Sequence, residues 1–552
     1  MSFDVKNITY RYAENSKNIL EDVSFSVQEG AVTAVVGPSG SGKTTLINIL
    51  SGVIPTLMPD GVLSGSFDVA QNISVSVVSQ TPENQLFGYG VEDAIAFGME
   101  NMGLDSETMH ERMEYVLDLF NIQHLRNRSV AKLSGGQRQA VCIASVLAMQ
   151  PDVLIMVEPV SSLDPNGKKL VQTILAQLRA SGQTTIIVDN NLEWSAGIVE
   201  HVVGLKEGKV VFDGTKEEFF SDHEVQESLG VTLPQEVLIY HKIKHAFPGM
   251  NMFYNIPDAR KEISRFVEKR EREYTAEKEE IEPILTTESL KQTFADGFNA
   301  LIDINSSFAK GKVTAILGQN GSGKTTLVKH LNGLIKPTSG RVLYLGNDIR
   351  GKSVAEISKD IILVFQHPEH MIFEQTVKDE LSFCAKAQGI GVDEAEIEKI
   401  LKDYELFDDR EELPANLSMG KKHVLTILSV LFSSADVIIL DEPTLGMDWE
   451  LKGKLENIIS YLIEKGKTVI MISHEFALVF KVCDRMLVLN NGVQRFEGSR
   501  EELLADRAVF EDLNLPMPAV VQLSREFGFE KIACNLDDFL TEILKAAGKE
   551  QA

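Results

Sequence analysis

Short runs of apolar residues alternate along the chain with helix-like segments. The runs that carry this pattern are Val32–Gly37, Val153–Val157, Thr184–Val188, Val313–Gly318, Val437–Asp441 and Thr468–Ile472. Continuous apolar runs of this kind are typical of parallel strands that are buried on both faces of a sheet. Their alternation with helices predicts an α/β fold.

The chain also repeats itself, with the same landmarks in the same order in each half. The matching pairs are GPSGSGKTT at Gly37–Thr45 and GQNGSGKTT at Gly318–Thr326, VVSQTPENQLF at Val77–Phe87 and LVFQHPEHMIF at Leu363–Phe373, KLSGGQRQ at Lys132–Gln139 and NLSMGKKH at Asn416–His423, and DVLIMVEPVSSLD at Asp152–Asp164 and DVIILDEPTLGMD at Asp436–Asp448. A fixed order at nearly constant separation indicates a duplication. The sequence therefore predicts two tandem domains of one fold.

A charge-dense segment, Lys261–Glu282, separates the two halves and is predicted to be a helical or solvated connector. We place the boundary between the halves near Pro283. The expected domains are 1–225 for the first half, 226–283 for its extension and the connector, 284–505 for the second half and 506–552 for a C-terminal helical extension.

Composition and charge exclude several classes of function. The 552 residues include 54 Lys and Arg and 80 Asp and Glu, which gives a formal net charge of −26. Binding to a phosphate backbone depends on a basic surface, so we expect no nucleic-acid partner. Solubility is the simpler interpretation of this charge.

The cysteines and the apolar runs are equally informative. Cys142, Cys384, Cys483 and Cys534 are far apart and form no CxxC pair, which argues against a disulfide framework, a zinc site or an iron–sulfur cluster. Reduced thiols of this kind are typical of the cytosol. The N-terminus has no signal pattern, and no apolar run reaches the ~18 residues that a membrane span needs. We expect other chains to supply any membrane part.

Each copy of GxxxxGK[ST] has the pattern of a phosphate-binding P-loop. Its glycines allow backbone N–H groups to turn towards the phosphates, and the following helix adds a favourable dipole. Lys43 and Lys324 are expected to reach the β- and γ-phosphates, and the hydroxyls of Thr44 and Thr325 to ligate Mg²⁺. The ATP-binding residues predicted here are Gly37, Pro38, Ser39, Gly40, Ser41, Gly42, Lys43, Thr44 and Thr45 in the first half and Gly318, Gln319, Asn320, Gly321, Ser322, Gly323, Lys324, Thr325 and Thr326 in the second.

The motifs that follow the P-loops resemble those of the ABC ATPases. The resembling elements are the signature LSGGQ at Leu133–Gln137, the glutamines Gln80 and Gln366 of the Q-loops, the Walker B run and catalytic glutamate in VIILDEPT at Val437–Thr444, the D-loops at Leu163-Asp164 and Met447-Asp448, and the switch histidine in Ser473-His474. This resemblance implies a P-loop NTPase domain of the ABC ATPase type with a helical signature subdomain in each half. It also implies that the chain hydrolyses ATP. Tyr12 and Phe294 have the spacing of the aromatic residue that stacks on adenine, although either also fits an ordinary core position.

The same resemblance implies that the two halves pair head to tail, so that each ATP lies between the P-loop of one half and the signature of the other. Site A, as we call it, then combines Lys324, Asp441, Glu442 and His474 with Ser134, Gly135, Gly136 and Gln137. Site B combines Lys43, Val157, Glu158 and Asn190 with Ser418, Met419, Gly420 and Lys421. All departures from the family pattern, namely Val157, Asn190, Met419 and Lys421, fall in site B. We expect site A to hydrolyse ATP and site B to be degenerate.

The roles expected in the two sites follow from their chemistry. In site A, Glu442 is the expected base for the attacking water, and His474 contacts the γ-phosphate. Asp441, Thr325 and Gln366 are the expected Mg²⁺ ligands, directly or through water. In site B the predicted magnesium ligands are Thr44 and Gln80, and the predicted ATP contacts include Glu158, Ser418 and Gly420. The alternative keeps Glu158 active, because it is still a glutamate.

The text around the Q-loops narrows the family further. QTPENQLF at Gln80–Phe87 resembles the QxPExQ(L/I)F element of energy-coupling-factor importers, and the second copy has Met371 in place of Gln85. Leu229–Val237 and Leu513–Leu523 resemble the C-terminal extension of the same ATPases. For Gln85 itself, an ordinary surface side chain is the alternative interpretation.

This second resemblance implies a motor subunit at the cytoplasmic face of the cell membrane, with ATP and Mg²⁺ as cofactors. Its partners would be a transmembrane scaffold subunit and a small substrate-capture membrane subunit, and its cargo a vitamin, a vitamin precursor or a transition-metal ion. The alternatives are a soluble twin-ABC translation or ribosome factor and the fused ATPase of a sugar importer. The first tends to be basic with two intact sites, and the second lacks the QxPExQ element.

Overall fold

The computed structural model describes residues 3–13, 17–38, 40–68, 73–81, 84–161, 163, 165–276, 279–295, 297–447, 449–506, 508–510 and 517–549. The chain divides into two compact units, Met1–Val237 and Leu238–Ala552. Within the described residues, no helix combines the length and the apolar character that a membrane crossing requires.

The centre of the first unit is a six-stranded sheet whose strands lie in the order Val75–Val78, Val153–Val157, Thr184–Val188, Val32–Val36, His201–Lys206 and Lys209–Thr215. The first five are parallel and the last is antiparallel. The central strands Val32–Val36 and Thr184–Val188 are buried along their whole length, as continuous apolar runs require. A second, antiparallel sheet has the order Leu20–Val27, Phe3–Arg11, Val62–Asp68.

The helices of the first unit fall into two groups. One group covers the central sheet. The other forms a helical subdomain, and along the chain it falls after the strand Val75–Val78 and before the strand Val153–Val157. The α-helices are Lys43–Leu50, Val53–Thr56, Val91–Asn101, Ser106–Leu119, Gly135–Leu147, Pro165–Ala180, Lys216–Ser221, His223–Leu229 and Gln235–Ile243, with 3-10 turns at Gln123–Leu125 and Val130–Lys132. The last α-helix crosses into the second unit.

The second unit repeats this plan. Its central sheet has the order Ile361–Val364, Val437–Asp441, Thr468–Ile472, Val313–Leu317, Arg485–Asn490 and Val493–Ser499, again with only the last strand antiparallel. Its antiparallel sheet has the order Asn299–Ile304, Pro283–Thr293, Ser339–Tyr344, Asn347–Asp348, and Ser307–Ala309 also pairs with Pro283–Thr293. The predicted α/β fold with two P-loop domains, each carrying a helical subdomain, is confirmed.

The helices of the second unit occupy the corresponding places and add a C-terminal layer. The α-helices are Ile256–Ile263, Lys324–Leu331, Val354–Ile357, Val377–Ala387, Glu394–Asp403, Met419–Ser429, Trp449–Glu464, Phe476–Val482, Arg500–Ala505, Ala519–Glu526 and Leu536–Ala546, with 3-10 turns at Pro368–His370 and Pro414–Asn416. Short side-chain caps begin many of them. Thr376, for example, accepts a hydrogen bond from the backbone N–H of Asp379 at the start of Val377–Ala387.

The segment that follows Leu238 packs against the C-terminal helices of the same unit. The guanidinium of Arg260 donates two hydrogen bonds of 2.5 Å to Glu526. The hydroxyl of Tyr274 donates to the backbone oxygen of Phe529 at 2.9 Å. Residues 268–276 of the predicted connector form neither helix nor strand and are held by such contacts. The domain boundaries at 225, 283 and 505 remain predictions.

Candidate functional site

Each P-loop connects a buried central strand to the helix that begins at its lysine. The glycine that precedes the lysine has a left-handed backbone in both halves, with φ of 100° at Gly42 and 103° at Gly323. The Lys324 ammonium donates to the backbone oxygens of Gly318 and Gln319 at 2.7 and 3.0 Å. Lys43 makes the same two kinds of contact in the first half. Both lysines therefore lie over their own loops.

The first glycine of each P-loop is required by close packing against the neighbouring strand. At Gly37 a Cβ would lie 1.9 Å from the backbone oxygen of Leu205. At Gly318 it would lie 2.2 Å from that of Leu489. Both glycines also have positive φ values, of 154° and 147°. The predicted P-loop residue Ser39 lies outside the described residues, as do Asp164 and Asp448 of the D-loops.

The second half presents two carboxylates at the carboxyl end of the strand Val437–Asp441. Asp441 is 4% exposed, and the hydroxyl of Thr325 donates a hydrogen bond to it. Its Oδ1 atom has no hydrogen-bond partner among the described residues. Burial raises the pKa of Asp441. An unpaired carboxylate oxygen beside a threonine hydroxyl fits a hard cation such as Mg²⁺, which takes oxygen ligands.

Glu442 follows directly and is held in a strained backbone conformation. Its φ is 50°, which is uncommon for a residue with a side chain. Its backbone N–H donates to Ile472 at 2.9 Å, and its Oε1 lies 3.0 Å from Nε2 of His474. Burial raises the pKa of Glu442 to about 7, while the nearby Lys324 opposes that shift. A general base works best when its pKa is close to the working pH.

The first half has the same backbone but different side chains. Val157 ends its strand where Asp441 ends the other, and it offers no oxygen. Glu158 has the same positive φ, of 42°, but its Oε2 accepts a hydrogen bond from the amide of Gln80 at 2.7 Å. Asn190 replaces the histidine, and its Oδ1 accepts from the backbone N–H of Gly37 at 2.7 Å. The side-chain amide of Asn190 therefore binds the P-loop, and the side-chain amide of Gln80 binds Glu158.

The first-half signature forms a regular helix start. Ser134 accepts from the backbone N–H of Gln137 at 3.3 Å, and Oε1 of Gln137 accepts from that of Ser134 at 3.1 Å. This reciprocal capping box begins the helix Gly135–Leu147. A Cβ at Gly136 would lie 2.6 Å from the Cα of Gly167, so this position is closely packed. The signature thus presents its backbone N–H groups from a rigid support.

The second-half signature lacks this reciprocal cap. Lys421 turns its ammonium to Asp409 at 2.6 Å. The Met419 side chain lies against Gly446, where a Cβ would come within 2.9 Å of it, and is 36% exposed. A Cβ at Gly420 would lie 2.7 Å from the backbone oxygen of Gly446. Of the two signature glycines, the second half has only Gly420, and this is the position at which close packing leaves no room for a side chain.

Tyr12 and Phe294, the two aromatic residues predicted to stack on adenine, each follow the equivalent strand of their own half, Phe3–Arg11 and Pro283–Thr293. The hydroxyl of Tyr12 lies 3.1 Å from that of Thr45 on the P-loop helix, and the Tyr12 ring packs edge-on against Tyr10. Phe294 is 39% exposed, and its backbone N–H donates to Phe298 at 2.9 Å. Both rings are accessible beside a P-loop domain, and their stacking on adenine remains a prediction.

Two histidines of the second half are near the site or the signature helix but are not singled out by any sequence motif. His367 follows Gln366 directly, and burial raises the pKa of Asp441 while its interaction with His367 slightly opposes that rise. His423 lies in the signature helix and is fully buried, and neither ring nitrogen has a partner among the described residues. Burial lowers the pKa of His423 to about 4. The position of His367 beside the Q-loop was a usable signal, whereas His423 begins an ordinary apolar run.

The second unit thus brings Lys324, Thr325, Asp441, Glu442 and His474 together at the carboxyl ends of neighbouring parallel strands. Gln366 lies two residues beyond the adjacent strand, Ile361–Val364. The pairing of each P-loop with the signature of the other half remains a prediction.

Comparison with known proteins gives the same outline. The family model described as ABC transporter matches residues 20–161 and again 301–445. A protein of Caldanaerobacter subterraneus, provisionally named an ABC transporter ATP-binding protein, is 32% identical over 95% of this chain and 96% of its own length. A Bacillus subtilis protein with the provisional name HMP/thiamine import ATP-binding protein YkoD is 32% identical over 94% of this chain and 95% of its own. The archaeal ribosome recycling factor aABCE1, solved with the ribosomal stalk protein aP1, has the same fold, with a TM-score of 0.59, 22% identity and 92% coverage of both chains.

Proposed function

This chain belongs to the ABC transporter family and is an ATPase with two fused nucleotide-binding domains, and on that premise we propose that it drives an importer of the energy-coupling-factor type. ATP hydrolysis would be coupled to uptake through a transmembrane scaffold subunit and a small substrate-capture subunit, with the ATPase at the cytoplasmic face of the membrane. The cargo would be a vitamin, a vitamin precursor or a transition-metal ion. The import name carried by the Bacillus subtilis relative supports the vitamin-precursor class.

The observation that carries this proposal is a stacked aromatic pair beside each Q-loop, with at least one exposed ring in each pair. Phe87 ends the first QxPExQ-like element, is 50% exposed and stacks on Phe97 with ring centroids 4.7 Å apart. Phe373 ends the second element, is 63% exposed and stacks on Phe383 at 5.1 Å. Large exposed apolar groups that recur at equivalent places are typical of a protein contact. We assign the two pairs to cytoplasmic helices of the membrane scaffold.

Tyr89 extends the first of these surfaces. It is 85% exposed and lies two residues beyond Phe87. Aromatic residues are enriched at the centres of protein interfaces because they bury a large area at a small cost in conformational entropy. Phe87 and Tyr89 follow Gln80 closely along the chain, so a partner bound to these rings would contact the segment that carries this glutamine.

The proposed chemistry takes place in site A. Thr325, Asp441 and Gln366 would hold Mg²⁺, which supplies positive charge next to the phosphates. Glu442 takes the proton from the attacking water, and His474 fixes the Glu442 carboxylate through the 3.0 Å contact. Lys324 and the backbone N–H groups of the first-half signature stabilise the charge that develops on the phosphate.

Site B is proposed to bind ATP without hydrolysing it efficiently. Val157 removes a magnesium ligand, and Asn190 replaces the histidine that would contact the γ-phosphate. Glu158 remains, but Gln80 is bound to its carboxylate at 2.7 Å. ATP held there would keep the two halves together while site A turns over.

Affinity purification of the tagged chain from membranes tests the proposal. We expect hydrophobic integral subunits to co-purify, and we expect Phe87→Glu combined with Phe373→Glu to release them. Val211→Glu is the matched control, because Val211 is 47% exposed on a strand at the far edge of the first central sheet. Recovery of ribosomal proteins without membrane subunits would overturn the importer and favour the ribosome factor.

A further inference from the structure

Gln85 binds back to the strand that leads into the first Q-loop. Its side-chain N–H donates to the backbone oxygen of Val77 at 2.9 Å, and its Oε1 accepts from the backbone N–H of Ser79 at 2.7 Å. Val75–Val78 is the outermost strand of the described sheet. The amide of Gln85 therefore pairs with two backbone groups at the end of this free edge.

A third contact connects Gln85 to the signature helix. The thiol of Cys142, in the helix Gly135–Leu147, lies 3.4 Å from Oε1 of Gln85 and donates to it. A half-buried side chain with three contacts of this kind is not an ordinary surface residue. One amide thus joins the edge strand, the Q-loop and the signature helix of the first half.

The consequence for Gln80 follows from its place in the chain. Gln80 lies between Ser79, which Gln85 holds, and the rest of the loop, and its side chain is bound to Glu158 at 2.7 Å. Fixing the backbone of Ser79 restricts where the next residue can place its side chain. The first Q-loop is therefore held at both its backbone and its functional amide.

The second half replaces this anchor with a thioether. Met371 stands at the position of Gln85, and its sulfur accepts from the backbone N–H of Phe365 at 3.2 Å. A thioether is a weak acceptor and has no donor, so the backbone oxygen of Leu363 receives nothing from it. Methionine is also flexible and adapts to changes in its surroundings. The second Q-loop is thus anchored by one weak bond at the place where the first has two strong ones.

We propose that Gln85 is a positioning residue that fixes the first Q-loop, and that Met371 leaves the second Q-loop free to move during the catalytic cycle. The second Q-loop carries Gln366, an expected Mg²⁺ ligand of site A, and is therefore the Q-loop that changes position as ATP is hydrolysed there. Active-site loops are drawn from the less stable parts of a fold because they have to move. The catalytic part of this inference rests on the proposed asymmetry of sites A and B, whereas the difference in anchoring does not.

Amide hydrogen exchange on the full chain tests the anchoring directly. A hydrogen bond contributes about 0.5–1.5 kcal/mol, so Gln85→Met is expected to speed exchange at Ser79 by roughly 2- to 10-fold. Met371→Gln is expected to slow exchange at Phe365 by a similar factor. Unchanged exchange at Ser79 in Gln85→Met would overturn the role of Gln85, whether or not the chain proves to be an importer.

Steady-state ATPase kinetics of the intact complex test the catalytic part. If the new bonds of Met371→Gln must break in each cycle, kcat falls by roughly 2- to 10-fold while KM for ATP stays constant. Met371→Leu is the matched control, since it keeps the side-chain volume without adding a hydrogen bond, and it is expected to retain the wild-type kcat. A wild-type kcat in Met371→Gln, or an equal loss in Met371→Leu, would overturn the assignment.

Discussion

Replacing Glu442 with glutamine tests the assignment of the catalytic base. In the wild-type structure, Oε1 of Glu442 lies 3.0 Å from Nε2 of His474. Glutamine has nearly the same volume and keeps an oxygen for this contact, so ATP binding should survive. It removes the only function that the neutral amide cannot provide, which is acceptance of a proton. General bases contribute about 10²- to 10⁴-fold to turnover, which corresponds to about 3–5.5 kcal/mol of activation free energy. We expect kcat to fall by that factor.

The assay is phosphate release by the purified complex at saturating Mg-ATP, with the melting temperature as a check on folding. Glu158→Gln is the matched control, because Glu158 has the same positive φ but stands beside Val157 and is bound by Gln80. We expect it to change kcat by less than about threefold, since a site without the magnesium aspartate contributes little to turnover. Equal losses in the two variants would refute the asymmetry, and a nearly unchanged kcat in Glu442→Gln would refute the base.

Three further predictions concern the P-loop, a buried histidine and the C-terminal layer. Gly318→Ala would place a Cβ 2.2 Å from a backbone oxygen, so equilibrium dialysis should find one ATP per chain instead of two. Gly351→Ala, with open space around it, should still bind two. Burial lowers the pKa of His423 to about 4, so as the pH falls this histidine is protonated in the unfolded state before it is protonated in the folded state. The free energy of unfolding should therefore decrease between pH 6.5 and 4, by up to about 3 kcal/mol. His423→Gln should flatten that decline in urea titrations, and an unchanged slope would contradict the prediction. Arg260→Ala removes the ion pair with Glu526 and should destabilise the second unit by about 0.5–1 kcal/mol, with a smaller effect in high salt. An equal effect at all salt concentrations would show that the loss of this ion pair is not the cause.

The central sheets and P-loops were predictable because their signals are local. Continuous apolar runs such as Thr468–Ile472 determine buried parallel strands without reference to distant residues. The spacing of glycines around Lys43 and Lys324 likewise determines the loop. Positions such as Val157 were informative since a valine at the end of a strand excludes a metal ligand regardless of its surroundings.

Contacts that depend on how the backbone turns could not be predicted in the same way. The hydrogen bond from Gly37 to Asn190 joins two loops far apart in sequence, and nothing in either segment specifies it. The same holds for Gln80 and Glu158. From the sequence alone a surface position stays possible for Gln85, because the strand edge that its amide binds can be identified only once the order of the strands is known.

The C-terminal layer shows a further limit. The boundaries at 225, 283 and 505 stay predictions, and the chain clusters with the second compact unit from Leu238 onwards. The packing depends on apolar side chains such as Ile239, Ile243 and Phe247, which are buried in the core of the second unit and form no recognisable motif. Sequence order is therefore a weak guide to which unit a connecting helix packs against.

The central claim is that the signature of the first half completes the catalytic site of the second. Exchanging one of the two positions at which the signatures differ tests it most directly, through the ATPase rates of Gly135→Met and of Met419→Gly. A Cβ at Gly135 would lie 3.3 Å from the Leu163 side chain, so that side chain must shift slightly to admit the methionine, and the melting temperature checks that the variant folds. We predict that Gly135→Met lowers turnover by about 10²-fold or more, by blocking the backbone N–H groups from the phosphate, while Met419→Gly leaves it nearly unchanged. Wild-type turnover in Gly135→Met would show that the second half does not depend on this signature, and it would contradict the head-to-tail pairing of the two halves.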